Sequence, residues 1–179
     1  NWLCEFYCSS QNGEGDWGKP GELKDFIWSC DEMNFNWLDI PAMIKRAEFI
    51  FEYPMVDRNP LAKWTKGRVT LLGDAAHPMY PRGSNGAGQA ILDAVDLAKR
   101  LSSRVIHQEA LELYEHERRP KTTEVVHANR TVPPDAILKE VYDRTGDKPF
   151  DEIEEIIKRD ELELIANNYK TIAGFDRTS

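Results

Sequence analysis

Cysteine is scarce here, and its placement excludes more than it suggests. Cys4, Cys8 and Cys30 form an odd set with no metal-ligand spacing. In a strand, Cys4 and Cys8 would stand about 13 Å apart at ~3.3 Å per residue, beyond the reach of a disulfide. Reduced packing residues of a cytoplasmic protein are the reading that fits. Long hydrophobic runs are also missing. None approaches the roughly 20 residues a spanning helix needs, and no signal-peptide pattern opens the chain, so membrane insertion is not expected. Positive charge is in deficit, 23 Lys and Arg against 31 Asp and Glu for a net −8. That argues against non-specific nucleic-acid binding, which needs a basic surface. An initiating Met is absent too. The chain opens on Asn1 and enters a strand-like run, Trp2-Leu3-Cys4-Glu5-Phe6-Tyr7-Cys8, as a piece of something longer would. What remains is 41% hydrophobic and 30% charged over 179 residues, with five Trp and seven Phe. This describes a soluble globular chain able to bury a core.

The pattern along the chain predicts a strand at 2–8, a Gly-rich loop at 9–21 and short helices at 22–29 and 39–47. Asp39 is the expected N-cap of the second helix, with Pro41 in its first turn. Residues 48–55 alternate, with Phe49, Phe51, Tyr53 and Met55 on one face. A half-buried strand follows from this, its aromatic face either walling a pocket for a flat substrate or filling ordinary core. Residues 68–73 read as a buried strand between glycines. From Ala87 the period becomes helical, through Ala90, Ile91, Ala94, Val95, Ala98 and Leu101. Another helix starts near Gln108, and Pro120 should end or kink it, with a further helix possible through Asn129. Beyond the Pro133-Pro134 break, helices are expected at 135–144 and 151–168. The acidic residues crowded there suggest a solvated face, or one docked on a partner subunit. His107, His116 and His127 show no ligand spacing, and Asp93 and Asp96 read as solvent-facing charges.

Chemistry concentrates between Gly67 and Ala94: a strand, then Asp74, then a Gly/Pro-rich loop running into a helix N-terminus. Ligands of open α/β sheets gather just past strand ends, where Asp74 falls, and a carboxylate there suits sugar-type hydroxyls. Gly83, Gly86 and Gly88 clear side chains, so that backbone amides can approach a flat ligand. The helix start favours negative charge. The segment lacks the Lys of a Walker-type loop, and its glycines do not follow the dinucleotide fingerprint. Ligand site and plain connection both remain open on these grounds.

Gly73-Asp74-Ala75-Ala76-His77, then Pro81, Gly83, Asn85-Gly86 and an Ala-rich helix, resembles the second FAD-binding motif of the aromatic-hydroxylase flavoproteins, the group of p-hydroxybenzoate hydroxylase. Tyr53-Pro54-Met55-Val56-Asp57-Arg58, Pro60-Leu61 and Trp64 look most like its phenazine-biosynthesis hydroxylase branch. Tyr114-Glu115, Arg118-Arg119-Pro120 and Asn129-Arg130 extend the resemblance to about residue 130.

The resemblance implies FAD, with Gly73, Asp74, Pro81, Gly83, Asn85, Gly86, Ala87 and Gly88 at the cofactor. Asp74 would bind its ribityl chain or pyrophosphate, and Pro81 would sit between flavin and substrate. The Gly86 and Ala87 amides would face the pyrimidine edge. A helix N-terminus contributes about 0.3–1 kcal/mol, up to ~2 when partly buried. At about 1.4 kcal/mol per pKa unit, that helps keep reduced flavin anionic. The resemblance further implies NADH or NADPH as reductant, O2, a flavin hydroperoxide, and a small aromatic or heteroaromatic acid as substrate. Tyr80, Pro81 and Arg82 would lie on the substrate side, and no catalytic side chain is required. Tyr80 either lines that side or stacks within the loop. Arg82 either meets a substrate carboxylate or stays solvated.

The implied fold is α/β, an α+β fragment: part of a substrate-domain sheet at 1–57, one strand–loop–helix of a doubly wound FAD domain at 58–104, and a helical region at 105–179 available for contacts in a homodimer. Gly88 stands where p-hydroxybenzoate hydroxylase has Asn, so backbone or Gln89 would have to replace that contact. His77 is expected to be structural, bonding loop backbone. The Gly-x-Gly-x-x-Gly turn, its ribose-binding acid and the middle Asp-Gly segment are lacking, and Gly13-Glu14-Gly15 does not replace them. The missing N-terminal FAD-binding half would then be needed for tight cofactor binding. A non-catalytic scaffold is the alternative, and a ring-opening flavin enzyme is a second.

Overall fold

A computed structural model describes residues 2–5, 18–31, 33–103, 106–133 and 135–174. It resolves into two compact units, Asn1–Met55 and Val56–Ser179.

In the first unit, residues 2–5 form no strand, while Phe6, Tyr7 and Cys8 and residues 9–17 of the expected loop lie outside the described residues. Cys4 instead meets Cys30, sulfur to sulfur at 3.9 Å. The helix expected at 22–29 is two 3-10 turns, Leu23–Asp25 and Ile27–Ser29. Side chains take the carbonyls there: Trp28 Nε1 donates to Asp25 O and Ser29 Oγ to Phe26 O. A short antiparallel hairpin follows, β1 (Asn34–Phe35) and β2 (Leu38–Asp39), which the alternation did not reveal. It leads into α1 (Ile40–Lys45), where Asp39 caps as expected, its Oδ1 accepting from Ala42 N at 2.8 Å, with Pro41 in the first turn. Such a cap is worth about 1 kcal/mol.

The half-buried strand expected at 48–55 is corrected. It makes a single bridge, Pro20 to Phe51, with two backbone bonds of 2.9 Å from Gly21 N to Ile50 O and from Glu52 N to Lys19 O. Phe49, Phe51 and Tyr53 are exposed and lean on one another, ring centroids 6.4 and 6.2 Å apart. The alternation is real, but its aromatic face is the outer one in this unit.

In the second unit, the strand expected at 68–73 is likewise replaced, by an extended segment entered through a tight turn at Gly67, where Lys66 bridges Val69. A buried strand needs hydrogen-bonding neighbours, and no described segment supplies them. The segment lies on a helix instead. Tyr114 Oη donates to Leu71 O at 3.1 Å, and Thr65 N to Glu115 Oε2 at 2.7 Å.

The helix starting before Ala87 is α2 (Asn85–Ser103). The two helices expected around Pro120 are one, α3 (His107–Thr131), with Pro120 inside. An internal proline costs about 3 kcal/mol. Buried Ala110, Tyr114 and Arg118 on one side of Pro120, and Thr122, Val125 and Asn129 on the other, hold the helix across it. Then come α4 (Ala136–Thr145), α5 (Ile153–Ile156) and α6 (Arg159–Ala173). The last expected helix is thus split at Ile157, which is buried.

Trp64, Ala76 and Tyr114 form one core cluster, backed by Leu71 and Leu97; Ala128, Tyr169 and Ala173 form another. A fully buried side chain of this size stabilises by about 1.5–3 kcal/mol. The described residues are therefore mostly helical with one two-stranded hairpin, and the sheets of the expected α/β fold are not formed among them. No described helix is long and apolar enough to cross a membrane.

Candidate functional site

The motif's first half is a 3-10 turn, Gly73–Ala75, with Gly73 at φ +59°. Only glycine adopts this without strain. Space also requires it, because a Cβ there would stand 3.3 Å from Ala90 Cβ of α2. The turn leaves Asp74 exposed. A Cβ on Gly86 would lie 3.8 Å from Asp74 Oδ1, so the carboxylate sits over the first turn of α2. The motif's two halves, separated in sequence, meet at this point.

The loop between them closes through a second 3-10 turn, Arg82–Ser84, with Gly83 at φ +70° and Ser84 at φ +55°. Pro81, Gly83, Ser84 and Ala87 are exposed, and Tyr80, Arg82, Gly86 and Gly88 half-buried. Asn85 is buried, its Nδ2 donating to Tyr169 Oη at 2.5 Å. Arg82 Nη1 lies 3.6 Å from Asp135 Oδ2. Tyr80 O accepts from Asn129 Nδ2 at 3.2 Å.

Asp93 corrects the expectation most. It is not a solvent-facing charge but fully buried, at the junction of the turn, α2 and α3. Its Oδ2 accepts from His77 Nε2 at 2.6 Å and Gly73 N at 3.2 Å, and its Oδ1 from Arg118 Nε at 2.7 Å. Burial alone would raise its pKa. The His77 and Arg118 hydrogen bonds, the His77 charge and the Gly73 amide outweigh it and hold the carboxyl below its ordinary value. Because an ionised carboxylate only accepts, His77 Nε2 carries the proton of that bond. His77 is structural, yet its side-chain partner is this carboxylate rather than loop backbone; its own N–H bonds Gly73 O. Burial, then the Asp93 charge, pushes the neighbouring Tyr114 phenol upward. Asp96 pairs with Arg100 at 2.6 Å along the helix.

Gln89 cannot supply the contact that Gly88 lacks. It is buried, donating to Ala173 O at 2.8 Å and accepting from Arg118 Nη2 at 2.6 Å. His107, His116 and His127 are exposed on α3, and no His/Cys/Asp/Glu cluster fit for a metal occurs among the described residues. Sequence reasoning missed Asp93, Gln89 and Tyr169 as organisers. The spacing of Gln89 and Asp93, polar residues recurring at one helical face, was the available signal.

These residues fit a flavin. An exposed carboxylate for hydroxyls, glycines that clear the approach, and the open first turn of a 19-residue helix lie on one surface. Comparison with known proteins agrees. Residues 51–129 match the FAD binding domain family. The chain is 52% identical over 132 residues to phenazine 1,6-dicarboxylic acid hydroxylase PhzS of Lysobacter antibioticus, covering 73% of this chain and 32% of that protein. It is 36% identical over 88 residues to 6-hydroxynicotinate 3-monooxygenase of Bordetella bronchiseptica, covering 48% and 23% respectively. Among solved structures, FqzB is similar in fold, with TM-score 0.56 and 24% identity over 92% of this chain and 41% of that one. The chain is related to the FAD-dependent aromatic hydroxylases, and FAD is the cofactor this relationship supports. It spans a third or less of the length of these two curated relatives.

Proposed function

We propose that this chain supplies the flavin-ring end of the cofactor site in a monooxygenase that hydroxylates a small aromatic or heteroaromatic acid with NAD(P)H and O2. The observation that carries the proposal is the Asp74 carboxylate lying over the glycine-cleared first turn of α2. When bound, FAD supplies the redox chemistry and the reaction with oxygen. Asp74 accepts hydrogen bonds from the cofactor's sugar-alcohol chain. The Gly86 and Ala87 amides, at the positive end of α2, favour negative charge at the ring edge. Gly83 and Gly88 keep the approach clear, Gly73 lets the turn that carries Asp74 pack against Ala90 of α2, Asn85 contributes backbone, and Pro81 separates ring from substrate. Tyr80 and Arg82 lie on the substrate side, where Arg82 exchanges Asp135 for a substrate carboxylate.

Residues 1–57 belong to a substrate domain and 58–104 to the FAD domain, with 105–179 packed behind. The outward apolar face of α2, with Ile91 and Val95 exposed, is suited to lie on a parallel sheet of that domain. Free Cys4 and Cys30 thiols fit a reducing, cytoplasmic setting. The relationship to hydroxylases does not favour the non-catalytic scaffold.

The full-length protein should purify with flavin absorbance and show NAD(P)H oxidation stimulated by aromatic acids. Asp74→Asn should weaken FAD binding about 10–100-fold, the loss of a charge-assisted hydrogen bond. A full-length protein that takes up no flavin would end the proposal.

A further inference from the structure

The loop from Tyr80 to Asn85 is gripped at both ends by one line of buried hydrogen bonds. Asn85 Nδ2 donates to Tyr169 Oη at 2.5 Å, Tyr169 Oη donates to Asn129 Oδ1, and Asn129 Nδ2 donates to Tyr80 O at 3.2 Å. The direction of the line is forced. The Tyr80 carbonyl only accepts, so Asn129 must turn its NH2 toward it and its oxygen toward Tyr169. Tyr169 must then give its proton to Asn129 and accept from Asn85. Burial raises the Tyr169 pKa, which keeps the phenol a donor.

Asn85, Asn129 and Tyr169 are all buried. Between the gripped ends sit Gly83 and Ser84 at positive φ, and Ser84 is a residue that avoids this conformation unless its surroundings impose it. One turn along α2, Gln89 Nε2 caps α6 by donating to Ala173 O, so α6 holds α2 at two successive inward positions.

We propose that Tyr169 is a positioning residue: through Asn85 and Asn129 it clamps the 80–85 loop in the strained form that presents the α2 amides to the cofactor. This assigns α6, far along the chain from the motif, a role at the flavin site. It rests on the cofactor reading above for what the loop presents, but not for the clamp itself.

The test is hydrogen exchange on the cofactor-free, full-length protein, paired with FAD titration followed by flavin fluorescence. Tyr169→Phe should speed exchange of the amides of residues 82–87 about tenfold and weaken FAD binding about tenfold, as loss of one buried hydrogen-bonding group does. Exchange in the 110–118 stretch of α3 should stay as it was. Unchanged exchange at 82–87, or an equal rise through α2, α3 and α6, overturns the clamp. If Tyr169→Phe does not fold, Asn85→Ala removes the loop-side donor and is judged by the same two outcomes.

Asp74→Asn separates the two ideas. It should weaken FAD binding while leaving exchange at 82–87 unaltered. If Asp74→Asn binds FAD normally, the cofactor reading fails, and loop exchange in Tyr169→Phe still decides the clamp.

Discussion

The two faces of α2 are opposites, and not in the usual sense. Its inward face carries Asn85, Gln89 and Asp93, all buried and all hydrogen-bonded. Its outward face carries Ala87, Ile91, Ala94 and Val95, all exposed, Ile91 at 64%. An amphipathic helix ordinarily buries its apolar stripe. Here the polar stripe is buried because Arg118 arrives from α3 with a charge that must be met, and Asp93 and Gln89 meet it. A polar contact inside a protein is stable when every group is satisfied and costly when one is removed. The inner face is therefore the sensitive one, and the outer face is free to serve as a surface.

The sharpest way to break this comparison is Asp93→Ala. It leaves Arg118 Nε, His77 Nε2 and the Gly73 amide buried without their acceptor and should cost about 3–5 kcal/mol of unfolding free energy, read by denaturant titration. A loss under 1 kcal/mol would mean that the inner face is not what holds the unit.

Next in size is Gly73→Ala. Positive φ and the Ala90 contact together should cost about 1–3 kcal/mol by the same measurement.

Acid should act on the same carboxylate. Asp93 sits below the ordinary value of 3.8, so its ionised form stabilises the fold above that pH, and the contribution is lost as pH falls below about 4. Of the titratable groups around it, His77 and Arg118 support the ionised form while Tyr114 stays neutral. A thermal melting series from pH 6 to 3 should fall steeply, and Asp93→Asn should flatten that fall.

The smallest effect belongs to the outer face. Ile91→Ser in this chain should change stability by no more than about 0.5 kcal/mol. A loss several times larger would show that the stripe is already covered.

Much of the candidate site was legible in the sequence, because its signals are local. Asp74 after an apolar run, and glycines before a helical period, mark a turn and a helix start wherever they occur. The same held for Asp39 and Pro41 at α1. The strands were not legible in the same way. Residues 48–55 alternate and 68–73 are apolar, but a strand exists only with a neighbour, and among the described residues neither stretch finds more than an isolated bridge. Pro120 was legible only in part for the converse reason: the local rule said end or kink, and buried residues on both sides carried α3 through without an end.

By itself, the sequence determined the start of α1 and the glycine-rich entry into α2, the short segment proposed to hold the cofactor, since backbone preference and glycine spacing act within a few residues. Tertiary structure alone decided which side of α2 faces inward and what grips the loop. Those outcomes depend on partners brought from afar, Arg118 at 25 positions from Asp93 and Tyr169 at 84 from Asn85. Satisfying a buried charge or amide is a property of the folded neighbourhood, not of any window of sequence.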